Sequence, residues 1–193
     1  MKLIVGLGNP GKEYEMTWHN LGAMTLNEFA ADAGFTPWSR QKNVRGLVAS
    51  GTVGGEKIIL LKPETFMNES GISVAAALKI KKIAIRDLVL VHDDLDFPLG
   101  TLRVAKNRSA AGHNGVKSVI DALGTKDFAR LRLGIATRAA KKVEAEKFVL
   151  KKIPKADQEQ VNRILEAAPE ALDKILKLGL ERATQEINSK GEV

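Results

Sequence analysis

Short apolar runs alternate along this chain with amphipathic stretches, and that alternation predicts strands that feed into helices. Six runs have the character of strands, and they cover residues 2–7, 46–52, 57–62, 88–91, 102–105 and 130–135. Gly54 and Gly55 separate the second run from the third and supply the positive φ angles of a two-residue hairpin turn. Because a hairpin makes its strands antiparallel, we predict a twisted mixed β-sheet.

Apolar residues also recur at helical spacing in four places. In the first, they follow an i, i+3, i+4, i+7 pattern from Leu26 to Ala33. The first helix is predicted to have Asn20 as its N-cap and to end at Gly34, and the second starts near Ser70. Asn114 is the predicted cap of the third helix, which ends at Gly124. A last helical segment runs from about Lys155, with a break or fresh start at Pro169. We therefore expect a single α/β domain over residues 1–193, with helices flanking the sheet and a C-terminal helical segment.

Charge and composition narrow the class of protein. Thirty Lys and Arg residues against 23 Asp and Glu residues give a net charge of +7, which favours a polyanionic partner such as nucleic acid, or else a soluble basic protein without one. The chain has no Cys, which favours the cytoplasm over an oxidising compartment. No run approaches about 20 apolar residues, and the first residues have the pattern of a core strand rather than a signal peptide, so we expect no membrane partner.

Polar residues collect where the predicted strands end, which is where ligands bind in open α/β sheets. These segments are 8–11, 65–68, 92–96 and 112–115, with a fifth at 13–20. Residues 6–11 match the spacing G-x-G-x-x-G of a dinucleotide site. That motif must open directly into a helix and needs an acidic residue after a second strand, and neither condition is met here. A tight turn at the end of a strand is therefore the better interpretation of these glycines.

A histidine and an aspartate in these segments predict hydrolytic chemistry. With no Cys, no G-x-S-x-G and no P-loop, the chain lacks the usual nucleophile motifs, so water is the expected nucleophile. His19 is the natural base for that water, and Asp93 is the natural carboxylate to orient it. The same segments hold His92 and His113, which raises the alternative of a metal site. Their spacing matches no common zinc motif, and we predict no metal, with a zinc hydrolase as an alternative.

Three amides, Asn9, Asn68 and Asn114, fall at the same predicted edge of the sheet. Such amides donate to a developing oxyanion and anchor a peptide backbone, although turn formation explains Asn9 and helix capping explains the other two equally simply. Phe66 and Met67 either wall the same cleft or belong to the core.

Several colinear motifs resemble those of the bacterial peptidyl-tRNA hydrolase family, over roughly residues 1–153. They are KLIVGLGNPG at 2–11, Tyr14, His19-Asn20, Lys62-Pro63, TFMN at 65–68, HDDLD at 92–96, GHNG at 112–115, and 130–135. The resemblance implies a monomeric esterase that needs no metal or cofactor. Its substrate would be peptidyl-tRNA released prematurely in translation, cut at the bond between the peptide and the 3′-terminal ribose.

The resemblance also assigns roles to individual residues. It implies that His19 accepts the proton of water, that Asp93 supports His19, and that Asn9 discriminates blocked from free aminoacyl-tRNA. The remaining substrate contacts that it implies are Tyr14, Phe66, Met67, Asn68 and Asn114. The role of His113 is left open.

Contacts with tRNA phosphates require basic residues near the cleft. The best cluster in the sequence is Arg103, Lys106, Arg108, Lys117, Arg130 and Arg132, of which half could be ordinary surface charge. The family has a Lys near position 105 and an Arg near 132. Here Ala105 is followed by Lys106, and Arg132 matches, so we predict contacts from Arg103, Lys106 and Arg132.

The chain departs from the family pattern at Trp18, at Ala110-Ala111 and at 136–138, which puts the geometry of these loops in question. A second function stays open, because a related plant organellar protein keeps this fold as a partner in RNA splicing without hydrolysis. The intact His19, Asp93 and three asparagines favour the enzyme.

Overall fold

The computed structural model describes residues 1–193, except for the side chain of Lys141. Its strands are β1 (Lys2–Gly6), β2 (Ser39–Gln41), β3 (Gly46–Val53), β4 (Glu56–Pro63), β5 (Leu88–Pro98), β6 (Leu102–Lys106) and β7 (Ala129–Ala136). They form one seven-stranded sheet in the order β2-β3-β4-β1-β5-β7-β6. The predicted α/β fold with a mixed sheet is confirmed.

The sheet is mixed because antiparallel strands lie at both of its edges. The central strands β4, β1, β5 and β7 are parallel to one another, whereas β3 pairs antiparallel with β4 and β6 pairs antiparallel with β7. The predicted hairpin is confirmed, since Val53 pairs with Glu56 across Gly54 and Gly55, whose φ angles are 56° and 81°. The sequence does not predict strand β2, because its three residues are polar and show no apolar alternation.

Helices cover both faces of the sheet. They are α1 (Leu21–Asp32), α2 (Ser70–Lys81), α3 (Asn114–Leu123), α4 (Ala145–Val149), α5 (Gln158–Leu178) and α6 (Leu180–Asn188). One core joins α1, α5 and α6 to one face, and a second core joins α2 and α3 to the other. Strands β1, β4 and β5 are buried on both faces along most of their length, which is why they contain unbroken apolar runs rather than alternating ones.

The C-terminal helices differ from the prediction. Helix α5 runs through Pro169, so the expected break there is wrong. Pro169 is buried beside Ala168 and Leu172, and this packing outweighs the backbone hydrogen bond that proline cannot donate. The actual break is at Gly179, whose φ of 80° ends α5 and begins α6. Among the described residues, no helix combines the length and the apolar content needed to cross a membrane.

Candidate active site

A close approach of α1 to the strand ends positions the predicted base. A Cβ atom on Gly22 would lie 2.3 Å from the carbonyl oxygen of Val91 in β5 and 2.9 Å from the backbone nitrogen of Leu7, so only glycine fits here. The backbone N–H of Ala23 also donates to the carbonyl of Leu7 at 2.9 Å. As a result, His19, which lies just before α1, is brought beside the part of β5 that follows Val91.

Strand β5 continues well past its predicted end. The sequence suggests a strand over 88–91 followed by a polar segment, but pairing with β7 continues through His92, Asp93 and Asp94. Asp93 is 2 % exposed. Asp93 and Asp94 can remain in a buried strand because His19, His113 and Arg132 donate hydrogen bonds to them, which a local hydropathy pattern does not reveal.

Asp93 accepts hydrogen bonds from two histidines. His19 Nδ1 lies 3.0 Å from each carboxylate oxygen, and His113 Nε2 lies 3.0 Å from Oδ1. The Nδ1 atom of His113 accepts from the backbone N–H groups of Gly115 and Val116 at 3.1 and 3.3 Å, so it carries no proton and Nε2–H must donate to Asp93. His19 likewise donates from Nδ1, which leaves its Nε2 unprotonated in the neutral ring. This is the atom that a general base needs.

The pKa shifts of His19 and Asp93 match the role of His19 as a general base. Burial alone would lower the pKa of His19, but the charge of Asp93 and its hydrogen bond outweigh burial and raise the pKa. Burial alone would raise the pKa of Asp93, but the two histidines hold it well below its ordinary value. Asp93 is therefore ionised at neutral pH and favours the protonated form of His19.

His92 is separate from this chemistry. Its Nδ1–H donates to the backbone carbonyl of Asp93 at 2.7 Å, and burial, together with the nearby His113, lowers its pKa well below the ordinary value. It does not line the cleft that contains His19. His92 is therefore a buried neutral residue of β5.

One predicted helix cap is wrong. His113, not Asn114, is the N-cap of α3, because its Nδ1 accepts from two N–H groups of the first turn. Asn114 is instead the first residue of that helix and faces the cleft. The predicted N-cap of α1 is confirmed in position, since Asn20 directly precedes that helix, but its side chain makes no capping hydrogen bond and is bonded to Asn9 instead. Sequence rules assign caps by residue type and do not show these tertiary contacts.

One cavity of about 600 Å³ brings the predicted catalytic and substrate-contacting residues together. All eight line it: Asn9, Tyr14, His19, Phe66, Met67, Asn68, Asp93 and Asn114. Met67 is buried in the core between α2 and α3 while it also lines the cavity, so both interpretations of this residue hold. Phe66 is 55 % exposed at the rim.

One further wall of the cavity comes from a segment in which the sequence predicted no site residue. Ala145, Glu146, Val149 and Leu150, from α4 and the residue after it, line the same cavity. The apolar run 148–150 was the only local signal for this wall. Residues distant in sequence hold this wall in place. Trp18 stacks on Phe148 with ring centroids 5.5 Å apart, and the backbone N–H of Ile153 donates to the carbonyl of Met16 at 2.8 Å. Trp18, where the chain departs from the family pattern, is therefore a buried support of this wall.

The predicted phosphate-contacting residues do not line the cavity, and each already has a partner. Arg132 donates to Asp94 at 2.6 Å and to Asp96 at 3.3 Å. Lys106 pairs with Asp127 at 3.2 Å, and Arg103 donates to the carbonyl oxygen of Lys190 at 3.0 Å.

Arg130, which the sequence grouped with the basic cluster, is buried and cannot reach a phosphate. Its guanidinium donates to the backbone carbonyls of Arg108 and Ser109, and it lies over the ring of Phe128. Burial and the nearby charge of Arg132 lower its pKa to about 10, so it stays protonated at neutral pH. Arg130 therefore anchors the loop that leads to His113.

The hydrogen bonds of the site oppose a metal ion. Ligand atoms of His19, Asp93 and His113 lie within 4.8 Å of one another, which is close enough for a shared ion. A metal bound at His113 Nε2 would require the ring proton on Nδ1, where two backbone N–H groups already point. The donor set therefore suits an ionised Asp93 between two N–H donors better than it suits a metal.

An α/β domain in which a buried His–Asp pair faces an amide-lined cleft has the make-up of a hydrolase that activates water. Residues 3–193 match the family model of peptidyl-tRNA hydrolase, and the chain belongs to this family. The resemblance seen in the sequence motifs is thus confirmed.

Individual relatives agree with this assignment. The chain is 38% identical to a peptidyl-tRNA hydrolase of Syntrophotalea carbinolica, with 98% of each chain covered. It is 44% identical to that of Bacillus thuringiensis subsp. konkukian, with 91% of this chain and 93% of the relative covered. The crystal structure of peptidyl-tRNA hydrolase from Acinetobacter baumannii superposes with a TM-score of 0.89 at 33% identity and covers 98% of this chain and 95% of that one.

Proposed function

We propose that this protein hydrolyses the ester bond that joins a peptide, or an N-blocked aminoacyl group, to the 3′-terminal ribose of tRNA. Such an activity recycles tRNA from peptidyl-tRNA released prematurely during translation. The observation that carries the proposal is the hydrogen-bond chain that leaves His19 Nε2 unprotonated at the cleft, with Asp93 ionised behind it. Family membership supplies the substrate class.

The reaction that fits this geometry is a general-base hydrolysis. His19 Nε2 takes a proton from water as the water oxygen attacks the ester carbonyl carbon, and the imidazolium is stabilised by Asp93. The tetrahedral intermediate then collapses with loss of the ribose 3′ oxygen, which takes the proton from His19. The products are a tRNA with its 3′ hydroxyl restored and a carboxylic acid, which loses its proton to solvent at neutral pH.

Amides at the cleft supply the polar contacts for this reaction. Asn9 has its Oδ1 bonded to the backbone N–H of Met67 at 2.8 Å, so its N–H₂ group is available to the substrate. Asn68 and Asn114 line the same cavity, where they can donate to the oxyanion and to the peptide backbone. Tyr14, Phe66 and Met67 offer surface to the acyl group and to the terminal nucleotide.

The body of the tRNA would be held by charge. The net charge of +7 supports binding to a polyanion, and we propose phosphate contacts by Arg103, Lys106 and Arg132. Lys106 is the most available of the three, because an exposed ion pair such as Lys106–Asp127 contributes little and gives way easily. We further propose that the protein acts as a monomer in the cytoplasm. The family resemblance implies the monomer, and the absence of Cys favours the cytoplasm.

The test is release of an N-acetylaminoacyl group from tRNA by the wild type and by His19→Ala, each with and without a chelator. We expect rapid cleavage by the wild type that the chelator does not change. In His19→Ala we expect a loss of most activity with tRNA affinity nearly unchanged. Binding without cleavage in the wild type would favour the RNA-binding alternative, and inhibition by the chelator would favour a metal hydrolase.

A further inference from the structure

Asn20, the residue after His19, forms hydrogen bonds to the backbone of Asn9 through both the oxygen and the nitrogen of its side-chain amide. The backbone N–H of Asn9 donates to Asn20 Oδ1 at 2.8 Å, and Asn20 Nδ2 donates to the carbonyl oxygen of Asn9 at 2.9 Å. Because one partner is a donor and the other an acceptor, only one orientation of the Asn20 amide satisfies both. Asn20 is 6 % exposed, so water does not readily replace either bond.

The neighbouring backbone is packed tightly against this amide. A Cβ atom on Gly8 would lie 3.1 Å from Cγ of Asn20 and 3.0 Å from Cβ of Ala23. The turn after β1 is therefore held directly against the residue that follows His19. Since the Asn20 side chain does not cap α1, its hydrogen bonds serve the position of Asn9.

The two hydrogen bonds from Asn20, here called the clamp, hold the backbone of Asn9 and so determine where its side chain lies at the cleft. With its backbone held by Asn20, Asn9 accepts from the backbone N–H of Met67 through Oδ1 at 2.8 Å. Its Nδ2 makes no hydrogen bond with the residues that the structure describes, and Asn9 lines the cavity beside His19. The only polar group that Asn9 offers to a substrate is thus a donor.

We propose that Asn20 is a positioning residue for substrate selection, which holds Asn9 so that its amide offers donors and no acceptor at the amino end of the scissile residue. This inference rests on the proposed function. A blocked amino group carries an acyl carbonyl that accepts from Asn9 Nδ2. A free α-ammonium group has only donors and finds no partner there. If the clamp is lost, Asn9 can turn its Oδ1 toward the ammonium group. The kcat/KM values for the blocked and the free substrate then become more similar.

The test compares kcat/KM for N-acetylaminoacyl-tRNA with kcat/KM for the same tRNA carrying the free amino acid. Asn20→Leu keeps the size of the side chain and removes both hydrogen bonds. We expect the ratio of the two values to fall by about tenfold or more, with the loss for the blocked substrate mainly in KM. Asn27→Leu is the matched control, because Asn27 is an exposed residue of α1 whose side chain accepts from Lys62, away from the cleft. Its ratio should stay at the wild-type value.

A second measurement separates positioning from a general loss of structure. In the wild type, the Nδ2 protons of Asn9 should give two sharp NMR resonances, which broaden or move in Asn20→Leu while the amide resonances of β5 and β7 stay in place. Asn20→Ser, which is smaller and reaches neither partner, replaces the leucine variant if that one does not fold.

Three outcomes would overturn the inference. One is an unchanged ratio in a folded variant, and another is an equal fall of kcat for both substrates, which would mean that Asn20 supports His19 instead. The third is an unchanged Asn9 spectrum. If the wild type itself fails to cleave the blocked substrate, the proposed function falls and this inference with it, whereas a failure of the Asn20 variants alone leaves the proposed function standing.

Discussion

Asp93→Asn probes the hydrogen-bond chain that sets the protonation of the base. The carboxylate accepts from His19 and from His113, but the amide that replaces it has a single acceptor oxygen for these two N–H donors. His113 cannot change its tautomer at low cost, because Gly115 and Val116 donate to its Nδ1. The oxygen of the introduced amide should therefore take the place of Oδ1, which His113 and His19 share, and its N–H₂ group should take the place of Oδ2, where it faces His19 Nδ1 at 3.0 Å.

The expected result is a base with its proton on the wrong nitrogen. To accept from the introduced amide, His19 must move its proton from Nδ1 to Nε2, the atom that has to receive a proton from water. We expect kcat to fall by roughly 100- to 10,000-fold, or about 2.7–5.4 kcal/mol of transition-state stabilisation. Thermal unfolding should show that the variant remains folded, since the amide keeps the shape of the carboxylate.

A second substitution should partly reverse the effect. His113→Asn retains an N-cap side chain for α3 but is too short to reach position 93, so it removes the competing donor. In the double variant Asp93→Asn/His113→Asn, the amide oxygen at position 93 can accept from His19 Nδ1–H, and we expect kcat about tenfold above that of Asp93→Asn alone.

The pH dependence gives an independent check. In the wild type the charge of Asp93 raises the pKa of His19 above 6.5, so activity should be lost as the pH falls through that raised value. In the double variant burial is no longer opposed by a charge, and this loss should occur at a lower pH. A single variant that keeps more than a tenth of wild-type kcat, or a double variant no more active than the single one, would refute this account.

The remaining predictions concern tRNA binding and stability. Lys106→Ala should reduce the slope of log affinity against log salt by about 1, as for one lost phosphate contact, whereas an unchanged slope would remove Lys106 from the interface. Arg132→Ala should lower the free energy of unfolding in urea by about 2 kcal/mol, because it leaves the buried Asp94 without its ion pair. Ala111→Gly should raise that free energy by about 0.5–1 kcal/mol, because Ala111 has a φ of 48° that glycine adopts without strain. Gly22→Ala should cost about 1–3 kcal/mol and reduce kcat/KM, since the added Cβ would meet the carbonyl oxygen of Val91; full activity would show that α1 can shift without consequence.

Local signals in the sequence predicted most of the fold. The Gly54-Gly55 turn, the buried strands and the helix ends at Gly34 and Gly124 all follow from backbone preferences and apolar spacing, which act over a few residues. The failures share a cause. The continuation of β5 beyond residue 91 and of α5 through Pro169 depends on partners far away in the chain, and neither partner leaves a local pattern.

The candidate site divides in the same way. Reading the sequence is enough to find the chemical groups for hydrolysis: a histidine, a carboxylate and three amides in segments that follow strands, and no cysteine. Their protonation and orientation depend on the folded chain. Backbone donors from α3 select the tautomer of His113, and the backbone N–H of Met67 selects which end of the Asn9 amide stays free. Arg130 is buried and anchors a loop instead of belonging to the basic surface. Proton positions and amide orientations depend on distances of about 3 Å between residues far apart in sequence, so only the folded chain can determine them.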